Sequence, residues 1–448
     1  MSERFDAIVV GAGPAGEVAA TRLPKLGLRT ALVERELVGG ECAYWACIPS
    51  KTLLRPPQVR FEAQRTAGTG APEQSWREVA AYRDYMIRHL DDSNQVAGYE
   101  GDGIRVFKSE ARIAGPGRVE VDGELLETDR IVIATGSEAK VPPIRGLEQA
   151  GYWTNRQATT LNEIPDSAVI LGGGPVGIEL GQFLSRFGAE VTVVETADRL
   201  LPREDAAVGE LIRKYLEEDG VAVRLGVSAT EVAAAGGRRV VSLADGSEVA
   251  GQELLVAIGR APRVEGIGLE SLDVAFGPQG IEMDGRCSAS EGVWAIGDVT
   301  GVMPFTHVGK YQARVAVDDI AGKPRDADYS AVPRVVFSDP EIAAVGLTEQ
   351  QARERELDVA TARVSLPEAI ARPWTYEKDP RGELGLIADL RRGVLVGAWA
   401  VAPLAGEWIH YAALAIKTGT PLDVLRDTVA QFPTFSEAFL NGVEAFGI

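Results

Sequence analysis

Two in-register copies of one glycine pattern, and a change of texture near residue 331, predict an α/β chain of two Rossmann-like units followed by a C-terminal α+β domain. The first copy runs from the apolar strand Phe5-Asp-Ala-Ile-Val-Val10 through Gly11-x-Gly13-x-x-Gly16 into a helical stretch, then along Leu28-Arg-Thr-Ala-Leu-Val33 to Glu34. Each part has a physical reason. The glycines permit a tight turn and close approach to a pyrophosphate, the helix N-terminus stabilises its charge, and the acid accepts hydrogen bonds from a ribose. The second copy leads from Ser167-Ala-Val-Ile-Leu171 through Gly172-x-Gly174-x-x-Gly177 and a helical stretch to Glu190-Val-Thr-Val-Val194 and Glu195. Gly11 to Glu34 and Gly172 to Glu195 both span 23 positions. Two copies in register imply two dinucleotides in one chain, and therefore electron transfer between cofactors rather than binding of one.

Bulk composition narrows the function classes. At 448 residues the chain has length for about three domains and an ample core. The balance of 46 basic against 65 acidic side chains, a net charge of −19, argues against nucleic acid or an anionic membrane as a partner. No segment approaches the ~20 apolar residues of a membrane span. The opening Met1-Ser-Glu-Arg-Phe5 runs into an apolar strand without the features of a signal peptide, so a cytoplasmic protein is expected. In that compartment disulfides are usually transient and catalytic. Three cysteines, two of them clustered, fit redox chemistry better than a covalent scaffold.

Between the glycine motifs, residues 42–63 and 74–97 are expected to be helical, the second as a polar solvated or partner-facing surface. Residues 104–134, with turn signals at Gly115-Pro116-Gly117 and Asp122-Gly123, suggest a small antiparallel sheet. The run Ile131-Val-Ile-Ala-Thr135-Gly136-Ser137 halts an apolar strand at small residues, and Leu254-Leu-Val-Ala-Ile-Gly259-Arg260 does the same in the second half. Such an end admits a ligand to the backbone, and a plain turn explains it equally. Val293-Trp-Ala-Ile-Gly297-Asp298 closes on an acid, which suits a sugar hydroxyl or a helix cap. Beyond residue 331, an alternating 385–401 region and a helical 408–417 stretch form the α+β domain, which ends in the aromatic turn Phe432-Pro433-Thr434-Phe435-Ser436-Glu437.

The stretch Gly39-Gly40-Glu41-Cys42-Ala43-Tyr44-Trp45-Ala46-Cys47-Ile48-Pro49-Ser50-Lys51 places two cysteines five residues apart. In a regular helix that separation rises about 7.5 Å, whereas a disulfide holds its Cα atoms roughly 4.4–6.8 Å apart. A bridge requires a distorted turn. Pro49, whose ring clashes with the carbonyl of Trp45 in a continuous helix, is the expected cause. Lys51 follows Cys47 by four residues, so a helix puts its ammonium on the sulfur's face, where it favours the thiolate.

Taken together, the Gly11–Glu34 fingerprint, Gly-Gly-x-Cys-x4-Cys-x-Pro-Ser-Lys, Ala134-Thr135-Gly136, the second fingerprint, Ala295-Ile-Gly297-Asp298 and Asp339-Pro340-Glu341 resemble the class I pyridine nucleotide-disulfide oxidoreductases, the flavoproteins that include dihydrolipoamide dehydrogenase, glutathione reductase and mercuric reductase. The resemblance covers essentially the whole chain. It implies a discontinuous FAD-binding domain at 1–150 and 264–330, an NAD(P)-binding domain at 151–263, and a C-terminal domain at 331–448 through which two copies form a homodimer. FAD is expected on Gly11, Gly13, Gly16, Gly40, Thr135 and Gly136, with Glu34 on the adenosine ribose, Asp298 on the ribityl chain, and Thr306 and His307 near the isoalloxazine. NADH is expected on Gly172, Gly174 and Gly177. Glu195 there bonds the 2′-hydroxyl and repels the 2′-phosphate of NADPH, a preference Arg199 would soften. The resemblance makes Cys47 the sulfur against the flavin, Cys42 the interchange thiol and Lys51 the partner of Glu179.

One departure bears on the reaction. Disulfide-reducing relatives carry a histidine before the C-terminal proline and a glutamate five residues later, a pair that shuttles protons for the interchange thiol. Here Glu437 is present and Phe432 stands at the histidine position, while His89, His307 and His410 lie elsewhere in the chain. A phenyl ring does not titrate, and such acid–base help is worth about 10²–10⁴-fold. The expectation is transfer of electrons from NADH through FAD and the Cys42–Cys47 disulfide to a small-molecule acceptor outside the usual set, quinone-like or other. The alternatives are a disulfide reductase of dihydrolipoamide dehydrogenase type working without the base, and an enzyme like 2-ketopropyl-coenzyme M reductase/carboxylase, which shares the phenylalanine but has histidine where this chain has Glu437. A flavoprotein without catalysis is the reading from another class. Paired thiols favour soft metals, but no terminal cysteine pair like that of mercuric reductases is seen, and no resident metal site is expected. Tyr44, Trp45, Phe432 and Phe435 form an aromatic set suited to an apolar substrate or to interface packing.

Overall fold

Ala7–Val10, the strand before the first glycine motif, lies near the middle of a six-stranded sheet in the computed structural model, which describes residues 3–447. Met1, Ser2 and Ile448 lie outside the described residues, and with them the very ends on which the expectations of no signal peptide and no terminal cysteine pair bear. The strand order is Ser288–Ser290, Val293–Ala295, Ile131–Ile133, Ala7–Val10, Thr30–Val33, Arg105–Phe107, all parallel except the first pair. Strands flanked on both sides by parallel neighbours read as unbroken apolar runs, and Ala7–Val10 and Ile131–Ile133 are buried throughout. This sheet belongs to one of two units, comprising residues up to Pro49, Ala81–Lys140 and Gly259–Asp328.

The antiparallel sheet expected over 104–134 is narrower than that range. Ala111–Gly115, Arg118–Val121 and Glu124–Glu127 form the meander, with Glu3–Arg4 joined in parallel at its edge. Arg105–Phe107 and Ile131–Ile133 pair instead in the parallel sheet, where Ile131 to Ile133 can bury both faces. The helical expectation over 74–97 is also interrupted. Trp76–Met86 and Ser93–Gly101 are separate helices, because Arg88, His89 and Leu90 adopt left-handed backbone angles of 54°, 52° and 59°.

The second unit takes residues 50–80, 141–258 and 329 onward. Its parallel sheet, ordered Ala222–Arg224, Glu190–Val194, Ser167–Leu171, Glu253–Val256, carries the second glycine motif. Its five-stranded antiparallel sheet is ordered Arg334–Val336, Glu341–Gly346, Val394–Ala402, Glu383–Asp389, Val359–Ser365. The alternation expected over 385–401 does not mark a wet face, since Val394–Ala402 is buried along its whole length. Ile387, Trp399 and Val401 enter one core with the helix Pro175–Arg186, whereas Leu386, Ala398 and Ala400 enter another beneath the helices Ala405–Trp408 and His410–Thr418. The sheet is apolar on both faces because it separates two cores.

A buried ionic cluster joins parts of this unit. Arg65 donates to both oxygens of Asp339 at 2.9 Å and to Glu377 at 2.7 Å, and Arg186 donates to Asp339 at 2.9 Å. Burial pushes the Asp339 carboxyl up, but Arg186 and Arg65 outweigh it and hold it below the ordinary aspartate range. A depressed folded value means stability that is present above the unfolded value of about 4 and lost as pH falls through the lower folded one. Arg65→Met is expected to weaken the unit toward the lower end of the ~3–5 kcal/mol seen when a buried pair is broken, because Arg186 remains. Urea unfolding should show that deficit at pH 7 and show it narrowing below about pH 4, as Asp339 protonates.

Candidate functional site

The first glycine loop is shaped by backbone contacts that leave no space for side chains. Gly11 has φ +102°, and a Cβ there would fall 2.3 Å from the carbonyl oxygen of Ala134; one on Gly16 would fall 1.9 Å from that of Gly11. Gly13 caps the helix Pro14–Arg22, and the space over its Cα is open. Glu34 completes the loop, its two carboxylate oxygens accepting from the amides of Ala12 and Glu36 at 2.8 Å each. A helix N-terminus with free amides beneath an open cradle, and a carboxylate at its rim, suits a pyrophosphate and its ribose.

The cysteine stretch begins against this loop. A Cβ on Gly40, at φ +60°, would lie 2.8 Å from the Cα of Gly13. The short helix Gly40–Tyr44 stops at Trp45, and the amides of Trp45 and Ala46 both donate to the Glu41 carbonyl before Cys47–Arg65 begins. The distorted turn therefore lies at 45–46. Pro49 stands in the first turn of the following helix, where an absent N–H breaks no bond, so it is not the cause of the break. Cys42 and Cys47 are both half-buried. Thr306, at the start of the helix Thr306–Ile320, joins them: its hydroxyl donates to Cys42 Sγ at 3.2 Å and lies 3.5 Å from Cys47 Sγ. The hydrogen bond to Cys47, then burial, push the Cys42 thiol far above its ordinary range, against smaller opposing effects of Thr306 and Lys310. His307 stacks on Phe305 with ring centres 5.3 Å apart.

The small-residue strand ends meet in the same unit through contacts with no local sequence signal. Ser137 donates to Asp298 at 2.6 Å, and Arg260 donates to Ser137 at 2.7 Å. Arg260 and Arg263 flank the Glu41 carboxylate at 3.8 and 3.7 Å, and Thr135 donates to the Arg263 carbonyl at 2.8 Å. Gly136 has φ +74°.

In the second unit the nucleotide loop repeats the first. A Cβ on Gly172 would lie 2.4 Å from the Ala257 carbonyl, one on Gly177 2.0 Å from that of Gly172, and the space over Gly174 is open. Glu195 accepts from the amides of Gly173 at 2.7 Å and Ala197 at 2.8 Å. Arg199 turns to the Pro202 carbonyl at 3.3 Å. Lys51 and the buried Glu179 form an ion pair at 2.7 Å, and Lys51 lies 4.7 Å from the centre of the Phe337 ring. Glu437 accepts from the Thr434 amide at 3.1 Å, while Phe432 is 75% exposed. Two members of the aromatic set expected from sequence are buried within their own units. Phe435 is buried between Tyr376 and Trp408, and Tyr44 is buried in the first unit with its hydroxyl on the Val38 carbonyl.

Residues 5–313 match the family described as pyridine nucleotide-disulphide oxidoreductase, and residues 332–442 match the dimerisation domain of that family. The chain belongs to the pyridine nucleotide-disulphide oxidoreductases. The dihydrolipoyl dehydrogenase of Thermus scotoductus is 36% identical over 98% of this chain and 97% of its own. A mercuric reductase of Lysinibacillus sphaericus is 31% identical over 97% of this chain and 81% of its own. Among solved structures, the HOCl-induced flavoprotein disulfide reductase RclA from Escherichia coli, as its Cu(II) complex, superposes with a TM-score of 0.87 at 29% identity, covering 98% of this chain and 99% of its own. LpdA from Mycobacterium tuberculosis gives 0.88 at 26% identity, covering 99% of both chains. As a member of this family the chain is an NAD(P)H-dependent flavoprotein oxidoreductase that uses FAD, with two dinucleotide domains and a dimerisation domain. No helix among the described residues is long and apolar enough to cross a membrane.

The repeated loops predict separable losses. Gly172→Ala places a Cβ against a backbone carbonyl at φ +113°, a left-handed strain of about 1–2 kcal/mol before any clash. Titration should show NADH bound at least ~10-fold more weakly, with the flavin absorbance of the purified protein unchanged. Gly11→Ala is expected to give protein depleted of flavin.

Proposed function

We propose that this chain takes electrons from NADH through FAD to a Cys42–Cys47 disulfide, and delivers them to a small acceptor that needs no acid–base residue at the Phe432 position, a quinone-like molecule first among them. The observation that carries the proposal is the shared hydroxyl of Thr306 on both sulfurs, set against the non-titrating Phe432 in the C-terminal turn. When bound, FAD supplies the exchange of a hydride for two electrons. The remaining roles fall to side chains. Glu34 and Glu195 bind the ribose hydroxyls at the rims of their loops, and Asp298, oriented by Ser137, binds the polyol chain. The Glu195 carboxylate favours NADH over NADPH by charge repulsion. Lys51, held by Glu179, supplies positive charge where reduction leaves negative charge.

Two electrons and one proton open the disulfide, leaving Cys42 as thiol and Cys47 as thiolate. The high affinity of Cys42 for its proton supports that division. Reduction of a quinone by the dithiol restores the S–S bond and passes two electrons to the ring. One of the two protons comes from Cys42 and the other from water. The family's dimerisation domain supports a homodimer, in which we place Phe432 of one subunit near Cys42 of the other. A cytoplasmic setting would keep such thiols reduced between turnovers.

The retained Glu437 and the 36% identical dihydrolipoyl dehydrogenase favour one second reading, a disulfide reductase that draws its proton from water. Steady-state assays with NADH decide between them. Quinones should turn over about 10²–10⁴-fold faster than small disulfides, and Phe432→His should raise the disulfide rate. Equal rates with the two acceptor classes, unchanged in Phe432→His, would contradict the proposal.

A further inference from the structure

One face of the helix Pro175–Arg186 carries Glu179, Gln182 and Arg186, spaced three and four residues apart. All three bind the segment 337–339, which leads from the strand Arg334–Val336 toward Glu341–Gly346. The Phe337 amide donates to Glu179 Oε1 at 2.9 Å, leaving the other oxygen for Lys51 at 2.7 Å. Gln182 reads both backbone groups of Asp339, its Oε1 accepting from the amide at 2.8 Å and its Nε2 donating to the carbonyl at 3.0 Å. Arg186 donates to the Asp339 carboxylate at 2.9 Å. Gln182 is 1% exposed and Asp339 6%, so water does not replace these bonds. The Asp339 carboxylate is gripped from its other side by Arg65, which lies on the same helix as Lys51. Two helices are thus locked to one backbone segment, and the first of its amides fixes the rotamer of Glu179.

We propose that Gln182 and Asp339 are positioning residues for the Lys51–Glu179 pair: the ladder they form with the helix Pro175–Arg186 sets where the Phe337 amide meets Glu179, and hence where the Lys51 ammonium stands. This rests on the reading of Lys51–Glu179 as the charge that supports flavin reduction. A carboxylate that accepts both a backbone amide and an ammonium has little freedom to turn. Removing a rung two residues away along the segment releases the amide, and with it the lysine, while every charge stays in place. Gln182 is the informative position, because replacing it with methionine keeps the size and alters no charge.

The test uses the FAD-loaded full-length protein under anaerobic conditions. Stopped-flow reduction by NADH gives the limiting rate and the NADH dissociation constant separately, and redox titration gives the flavin midpoint potential. Gln182→Met is expected to slow the limiting rate about three- to tenfold with the dissociation constant nearly unchanged, and to move the potential in the direction that Glu179→Gln moves it. The double variant should be no slower than Glu179→Gln alone, since the ladder acts only through that carboxylate. Glu377→Gln, in the same buried cluster but off the ladder, should lose thermal stability and keep the rate. If Gln182→Met does not fold, Gln182→Asn, which keeps an uncharged amide but shortens it out of reach of the Asp339 backbone, carries the same comparison. Wild-type rate and potential in the ladder variants beside a loss in Glu179→Gln would overturn the proposal, as would a multiplicative loss in the double variant. A Glu179→Gln protein matching wild type would remove the underlying reading of the pair, and the proposal with it; that single arm reports it.

Discussion

Both nucleotide motifs depend on one close approach of backbone to backbone. Gly11 turns against the carbonyl of Ala134, and Gly172 against that of Ala257, at separations that exclude any Cβ. The turn can only be made if the next parallel strand ends beside it, which is why Ile131–Ile133 and Glu253–Val256 sit next to the motif strands in their sheets. The acid at the end of the following strand ties the loop down, accepting in each copy from one loop amide, Ala12 or Gly173, and from the amide two residues beyond itself, Glu36 or Ala197. Loop, neighbouring strand and acid are one mechanical unit used twice.

The cysteine stretch inherits its place from the first of these loops. Gly40 rests on Gly13, so the chain enters the redox turn at a point fixed by the nucleotide cradle. Two amides folded onto the Glu41 carbonyl then reverse the chain, and the second helix starts at Cys47. Thr306 brings a hydroxyl to both sulfurs from a distant part of the sequence. Hydrogen bonding to Cys47 and burial both push the Cys42 thiol up, so the two sulfurs do not stand in equivalent surroundings.

The parts legible in the sequence are those whose spacing is dictated by local backbone geometry. Both glycine fingerprints, their acids and the paired cysteines are of this kind, because few residues satisfy a left-handed turn or a close approach. The position of the break between Cys42 and Cys47 was not legible, since Trp45 and Ala46 carry no breaker signal and Pro49 does. Ser137 on Asp298, and Arg260 with Arg263 on Glu41, join positions more than a hundred residues apart, and nothing in a single chain's pattern announces such pairs. Phe435 misled for a related reason: a buried aromatic of a domain core and an aromatic lining a substrate site have the same composition. The alternation over 385–401 was legible, but not its cause, which is that it sorts side chains between two cores.

The central claim is that electrons from NADH reach the Cys42–Cys47 bond. Thiol counting tests it most directly: the oxidised, FAD-loaded protein is alkylated anaerobically with and without NADH, and the labelled cysteines are located by mass spectrometry. The account predicts label on Cys42 and Cys47 only after NADH, with the fully buried Cys287 unlabelled in both samples. Equal labelling of Cys42 and Cys47 in the two samples would contradict it.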